Sequence, residues 1–67
     1  MKRKQKTARL IARMEKAAYA AIWNDHSASR FRVGRDVVSA HDHGRYVDFK
    51  LNGIRLSRAA IVEALLA

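Results

Sequence analysis

The sequence of 67 residues contains no cysteine and no proline, and it has three glycines and six acidic residues against 14 basic ones. Without cysteine, neither a disulfide nor a thiolate zinc site can supplement the hydrophobic core. A chain of this length is one domain near the lower size limit for a single core. Oligomerisation or a bound partner would supplement it, so a homodimer is an open alternative.

Long apolar runs and catalytic motifs are also missing. No segment approaches the length of a membrane span, and the N-terminus lacks the apolar stretch of a signal peptide. There is no glycine-rich phosphate loop, nucleophile elbow or pair of carboxylates at catalytic spacing. We therefore expect a soluble, cytoplasmic protein that is not an enzyme, needs no cofactor and has no membrane partner.

The shortage of acidic residues leaves a formal net charge of +8 and a pI near 10.9. Such a balance indicates an anionic partner: nucleic acid, an anionic membrane or an acidic protein surface. Seven of the 14 basic residues lie within the first 16 positions. Because a basic segment also serves solubility alone, the charge indicates the class of partner and not its identity.

The strongest local signal is Asn52-Gly53, which lies between two alternating segments. Both central residues of a type I′ turn need positive φ, so this pair predicts a β-hairpin. A two-residue loop fixes the register and places Leu51 opposite Ile54. One face of the hairpin is then apolar, and the other is polar: Tyr46, Asp48, Lys50 and Arg55.

Residues 7–23 predict a long helix, because they are rich in alanine and contain no glycine or proline. Thr7 is a candidate N-cap, and residues 1–6 are expected to form a basic, flexible N-terminus ahead of a single domain over 7–67. One side of the helix is apolar at helical spacing. This stripe comprises Leu10, Ile11, Met14, Ala17, Ala18, Ala21 and Ile22.

A separate side of the same helix is basic. Its cations recur at steps of three and four and therefore repel one another. An anionic partner would relieve this repulsion, although a solvated helix face is an equally good interpretation. The apolar stripe is too rich in alanine to insert strongly into a membrane. Tyr19 and Trp23 border the ridge as candidate anchors of a protein interface. The ridge comprises Lys2, Lys6, Arg9, Arg13 and Lys16.

Between the helix and the hairpin, the pattern predicts a loop and a strand. Asn24 is a candidate C-cap of the helix, followed by a loop over 25–29. Residues 30–33 alternate between basic and apolar side chains, and Gly34 marks a bulge or a turn. We favour one long bent strand through residue 40 over two separate strands. A turn follows at residues 41–44.

Ser57 is a candidate N-cap for a closing helix over residues 58–66. The predicted fold class is therefore α+β: an N-terminal helix, a two- or three-stranded antiparallel sheet with the Asn-Gly hairpin, and a C-terminal helix. Since each element has one apolar side, both helices are expected to pack on one face of the sheet.

The opposite, open face of the sheet is a second candidate contact surface. It would carry Arg30, Arg32, Lys50 and Arg55 with Tyr46, which is suited to phosphate contacts and to stacking on a base. A charged open face also serves solubility and discourages edge pairing. We prefer an anionic partner, because Lys50 and Arg55 lie opposite each other and repel.

Histidines offer a third candidate, in His41-Asp42-His43 with Asp25 and His26 elsewhere. Imidazole and carboxylate groups can bind divalent metals or transfer protons. In a turn, however, residues two apart point in different directions, and no further ligand stands at a recognised spacing. We expect no metal site and no catalytic residue here.

Residues 44–66 read Gly-Arg-Tyr-Val-Asp-Phe-Lys-Leu-Asn-Gly-Ile-Arg-Leu-Ser-Arg-Ala-Ala-Ile-Val-Glu-Ala-Leu-Leu, about a third of the chain. This segment resembles the strand, Asn-Gly turn, strand and helix that precede the metal-binding core of phage HNH-type homing endonucleases. Where that family has a His-Arg pair, this chain has Ser57-Arg58, and the His-Asn-His core has no counterpart. The resemblance implies a phage or prophage origin and a DNA-related module without nuclease chemistry.

Together these patterns predict a small, basic, non-enzymatic nucleic-acid-binding protein, with DNA favoured over RNA. The contacts expected are the helix cations from Lys6 to Lys16 and the cations of the open sheet face. The alternative is a phage-type inhibitor or adaptor that docks on an acidic host protein such as a CRISPR effector nuclease or RNA polymerase. It would use Tyr19 and Trp23 as anchors and the basic residues for steering.

Overall fold

The computed structural model describes residues 2–23 and 28–66. The strands form one antiparallel sheet in which neighbours in the sequence are neighbours in space. The predicted α+β class is confirmed, while Asn24 and most of the loop after it lie outside the described residues. In chain order the elements are α1 (Lys2–Trp23), β1 (Ala28–Val33), β2 (Asp36–Asp42), β3 (Val47–Leu51), β4 (Ile54–Leu56) and α2 (Arg58–Leu66).

The sheet has four strands, where two or three were predicted. The expectation of one long bent strand was wrong, because the chain reverses at Gly34 and pairs Val33 with Asp36. Gly34 has a φ of +61°, whereas Arg35 does not have a positive φ. This is the pattern of a type II′ turn, which needs glycine at its first central position. The alternating segment is therefore the first strand of a second hairpin.

The Asn-Gly hairpin is confirmed. Asn52 and Gly53 have φ values of 52° and 86°, and Leu51 pairs with Ile54. Asn52 also holds the hairpin against β2: its backbone N donates to the Val37 carbonyl at 2.8 Å, and its side-chain oxygen accepts from the Val37 N–H at 2.9 Å. The Asn52-Gly53 turn therefore sets the pairing of β3 with β4 and also binds this end of the hairpin to β2.

Both helices pack on one face of the sheet, as predicted. The buried arc of α1 is narrower than its apolar stripe, however. Ile11 and Ile22 were expected in the core but are 36% and 49% exposed. They lie about three turns apart on one side of the helix, beyond the arc that meets the sheet. The core comprises Leu10, Met14, Ala17, Ala18 and Ala21 of α1, Val38, Ala40 and Phe49 of the sheet, and Ile61 of α2.

The start of α1 differs from the prediction, whereas the start of α2 agrees with it. Helix α1 begins at Lys2, so Thr7 lies inside it and is not an N-cap; residues 2–6, predicted to be flexible, are helical. Lysine, arginine and glutamine there are good helix formers. Ser57 is the N-cap of α2, since its hydroxyl accepts from the Ala60 N–H at 3.1 Å. Among the described residues, neither helix is both long and apolar enough to cross a membrane.

Candidate nucleic-acid interface

The basic side of α1 lies along β1, an edge strand of the sheet. Two cavities of about 570 and 310 Å³ open along this border. Arg13 lines both, and we call the two cavities together the α1–β1 groove. Its first part is lined by Lys6, Arg9, Leu10, Arg13, Val33, Leu65 and Leu66, and its second by Arg13, Lys16, Ala17, Ala20, Ser29, Arg30 and Phe31.

The groove concentrates positive charge without a compensating acid. Among the described residues, no aspartate or glutamate lines either part of it. Glu15 of α1 follows Met14 and precedes Lys16, and one residue rotates a helix by about 100°. Its carboxylate therefore starts from a different side of the helix than the basic ridge. Cations in an open depression with apolar walls produce a focused positive potential. These cations are Lys6, Arg9, Arg13, Lys16 and Arg30.

Arg13 has a structural role in the groove as well as a charge. Its Nη2 donates to the Arg32 carbonyl at 3.0 Å, and its guanidinium carbon lies 4.5 Å from the centroid of the Phe31 ring. The Arg32 carbonyl belongs to an edge strand, so this hydrogen bond covers part of an edge that would otherwise be open to pairing. Sequence reasoning missed this role, because nothing local relates Arg13 to a strand nineteen residues further on.

On the open face, the predicted basic positions form one row across the sheet. Arg30 pairs with Ser39, Ser39 with Lys50, and Lys50 with Arg55, which confirms the predicted opposition of Lys50 and Arg55. The Arg55 Nε, however, lies 3.3 Å from Asp48 Oδ2. The repulsion used to infer an anionic partner is therefore partly offset by a neighbouring carboxylate. Asp48 was placed on this face from the sequence, but its partner was not identified.

The histidines are joined to neighbours on the sheet. His41 belongs to β2 and not to a turn, and its Nε2 lies 2.9 Å from the Ser39 hydroxyl. His43 Nε2 lies 3.1 Å from Asp48 Oδ1. Among the described residues no group of three or more His, Cys, Asp or Glu side chains could hold a metal ion. Asp25 and His26 lie outside the described residues.

The remaining feature is a set of exposed apolar side chains on α1. Tyr19 and Trp23 are 66% and 79% exposed, and the two isoleucines that were expected in the core, Ile11 and Ile22, are 36% and 49% exposed. We call Ile11, Tyr19, Ile22 and Trp23 the outer strip of α1. The sequence predicted the aromatic half of this strip; the aliphatic half depended on how much of the helix the sheet covers.

No family model, no curated protein and no solved structure matches this chain. The resemblance of residues 44–66 to HNH-type homing endonucleases therefore stays a prediction. Since folds are shared by unrelated activities, function has to be argued from the groove and the surfaces around it.

Proposed function

We propose that this protein binds nucleic acid without catalysing a reaction, and that the phosphate groups lie along the α1–β1 groove. One observation carries the proposal. The groove is lined by four cations of α1 (Lys6, Arg9, Arg13 and Lys16), and none of its described lining residues is acidic. Arg30 of the edge strand borders the groove and belongs to the row of cations on the open face. Bringing cations together costs electrostatic energy in the free protein, and a polyanion is the ligand that would recover it.

The predicted consequence is a strong salt dependence. The exposed cations that line the groove, other than Arg13, which is held against Phe31, are Lys6, Arg9, Lys16 and Arg30. If each neutralises one phosphate, the slope of log affinity against log salt is about −3 to −4, near −0.7 per contact for single strands and −0.9 for duplex DNA. Phosphate contacts carry no base information, so we expect little sequence preference.

The proposal also includes the origin of the protein and the compartment in which it acts. The segment at residues 44–66 resembles part of phage endonucleases, so we expect a phage or prophage protein that acts on DNA in the host cytoplasm. The open-face cations Arg32 and Lys50 would extend the contact area beyond the groove, while Arg55, engaged by Asp48, would contribute less.

The test is fluorescence anisotropy with labelled random-sequence DNA and RNA, single-stranded and duplex, over a salt series. Arg9→Gln removes a groove cation; Arg58→Gln is its control, an exposed helix arginine outside both parts of the groove. Because the Arg58 guanidinium carbon lies 5.2 Å from the Phe49 ring centroid, circular dichroism establishes that the control variant is folded. We expect Arg9→Gln to reduce the magnitude of the salt slope by about one and the control to leave it nearly unchanged.

Two results would contradict this. Equal effects of Arg9→Gln and Arg58→Gln would mean that net charge alone attracts the polyanion, and the groove would lose its role. Absence of binding to every probe at low salt would overturn the function itself.

A second candidate function is supported by the outer strip of α1. Large exposed aromatic side chains beside cations are typical of the anchors of protein interfaces. In this alternative, the protein is an inhibitor or adaptor that docks on an acidic host protein, steered by its basic residues. Pull-downs from nuclease-treated and untreated lysate separate the two. A stoichiometric protein that survives nuclease treatment and is lost with Trp23→Ala supports the adaptor; loss of all partners on nuclease treatment supports nucleic acid.

A further inference from the structure

The connection between β2 and β3 is held closed at one end of the open face. The His43 backbone N donates to the Tyr46 carbonyl at 2.9 Å. The Gly44 N–H donates to Asp42 Oδ1 at 3.0 Å, and Gly44 takes a φ of +90°. The backbone that carries Tyr46 is therefore fixed by two hydrogen bonds and by a conformation that favours glycine.

The Tyr46 ring is positioned by a chain of three further side chains. It stacks on the His43 ring with centroids 4.8 Å apart and planes inclined by 21°. His43 in turn contacts Asp48 at 3.1 Å, and Asp48 contacts Arg55 at 3.3 Å. The Asp48 side chain is 11% exposed, and its Oδ1 is buried with no hydrogen-bond partner among the described residues. His43 Nε2 lies 3.1 Å from this oxygen but without hydrogen-bond geometry. We call the stacked pair Tyr46 and His43 the aromatic platform.

A platform fixed in this way leaves one side of the tyrosine ring available. His43 covers one face, yet Tyr46 remains 53% exposed. An exposed tyrosine that is already ordered gives up little conformational freedom when a flat ligand stacks on it. The neighbouring row of cations on the same face favours a ligand that carries phosphate.

We propose that Tyr46 stacks on an unpaired base, so that the preferred ligand is single-stranded nucleic acid. This rests on the proposed nucleic-acid function and adds the class of nucleic acid to it. In a duplex, each base is stacked on both sides by its neighbours, and only an unpaired base offers a free face to an aromatic side chain. Groove cations would hold the phosphates, and the platform would select the unpaired strand.

The distance between the groove and the aromatic platform suits one extended strand of nucleic acid. Arg30 of the groove pairs with Ser39 of β2, and His43 follows four residues after Ser39. At about 3.3 Å per residue along a strand and 4.8 Å between strands, the two sites are roughly 15 Å apart. A few nucleotides of an extended single strand would bridge that distance across the open face.

The experiment compares Tyr46→Ala with Tyr46→Phe, which keeps the ring. Affinities are measured for a random-sequence DNA single strand and for its duplex at several salt concentrations. We expect the wild-type protein to prefer the single strand. Tyr46→Ala should lose about 5- to 150-fold in single-strand affinity, the range for one stacked base. Tyr46→Phe should retain it, and the salt slope should stay constant, because stacking releases no counterions.

A direct readout of stacking is fluorescence. Tyr46→Trp in a Trp23→Phe background places the only tryptophan at the platform, since the chain has one tryptophan. Addition of the single strand should quench its emission, and addition of the duplex should not. Equal quenching by both, or none by either while anisotropy reports binding, would overturn the stacking proposal.

The two proposals fail in different ways. If neither the single strand nor the duplex binds at low salt, the nucleic-acid function fails. If both bind with a slope that Arg9→Gln reduces, but Tyr46→Ala changes neither affinity, only the stacking proposal fails. Equal losses of single-strand and duplex affinity in Tyr46→Ala would also overturn it. Thermal unfolding followed by circular dichroism establishes that each variant is folded.

Discussion

The α1–β1 groove and the β3–β4 part of the open face are both basic, but they differ in whether a carboxylate lies beside their cations. In the groove, the described lining residues include no acid. On the open face, Asp48 is largely buried and engages both Arg55 and His43. A count of basic residues would rank the two surfaces as similar. The position of the nearest carboxylate therefore decides which cations are available to a ligand.

This difference between the groove and the open face follows from the different side-chain periodicities of a helix and a strand. On a helix, Glu15 can precede Lys16 directly and still lie on another side. On a strand, residues two apart share a face, so Asp48 and Lys50 are neighbours. The register then places Arg55 opposite Lys50 and diagonal to Asp48. The sheet therefore brings acid and base together where the helix separates them.

The largest expected effect comes from Gly53→Val, which breaks the register of the open face. Gly53 has a φ of +86°, and a Cβ there would meet nothing within 4 Å, so the cost is backbone strain of about 1–3 kcal/mol. Losing the register of β4 and the Asn52 contacts to β2 would add to it. Urea denaturation should report a lower free energy of unfolding, with anion binding falling alongside the folded fraction. Gly53→Asn, which tolerates positive φ, is the control and should cost less; equal losses would contradict the turn argument.

Asp48→Asn should make the open face resemble the groove. It removes the carboxylate that engages Arg55 and His43, and we expect a loss of about 1–3 kcal/mol in unfolding free energy. With Arg55 released, affinity for anionic ligands should rise. Glu15→Gln makes the same change in net charge at an exposed position of α1 and is the control. A gain in affinity that is equal in both variants would show that only net charge matters.

Two variants compare a cation that borders the groove with one that Asp48 engages. Arg30→Gln and Arg55→Gln each remove one exposed arginine from the same cross-strand row. Arg30→Gln should reduce the magnitude of the salt slope by about one. Arg55→Gln should change it less, since that charge is already engaged by Asp48. The measurement is nucleic-acid affinity over a salt series, and a larger slope change in Arg55→Gln would reverse the assignment of the two surfaces.

The smallest effect is expected for Arg13→Lys, which keeps the groove charge but not the planar guanidinium. Lysine cannot reproduce both the hydrogen bond to the Arg32 carbonyl and the stack on Phe31. The loss in unfolding free energy should be about 0.5–1 kcal/mol, with little change in the salt slope. Arg13→Gln serves as the comparison, as it removes the charge too. If Arg13→Lys leaves stability intact, the edge-covering role is wrong.

Several features were predictable from the sequence because they depend on neighbouring residues. Asn52-Gly53 specifies its turn through the φ values that those residues tolerate, and Ser57 caps the helix that follows it directly. The cationic ridge of α1 follows from its 3.6-residue period. Gly34 was ambiguous, since glycine suits a bulge as well as a turn, and only the pairing of Val33 with Asp36 distinguished them.

Local sequence therefore determines most of the elements, the register of the Asn-Gly hairpin, the basic ridge of α1 and the basic open face of the sheet. Packing decided the rest: which apolar residues of α1 stay exposed, that Arg13 reaches β1, that Asp48 engages Arg55, and that Arg30 borders the groove lined by Lys16. These contacts join residues whose separation along the chain carries no periodic signal. They exist only because the sheet presents a surface of limited width to the helix, and that width is a property of the folded chain.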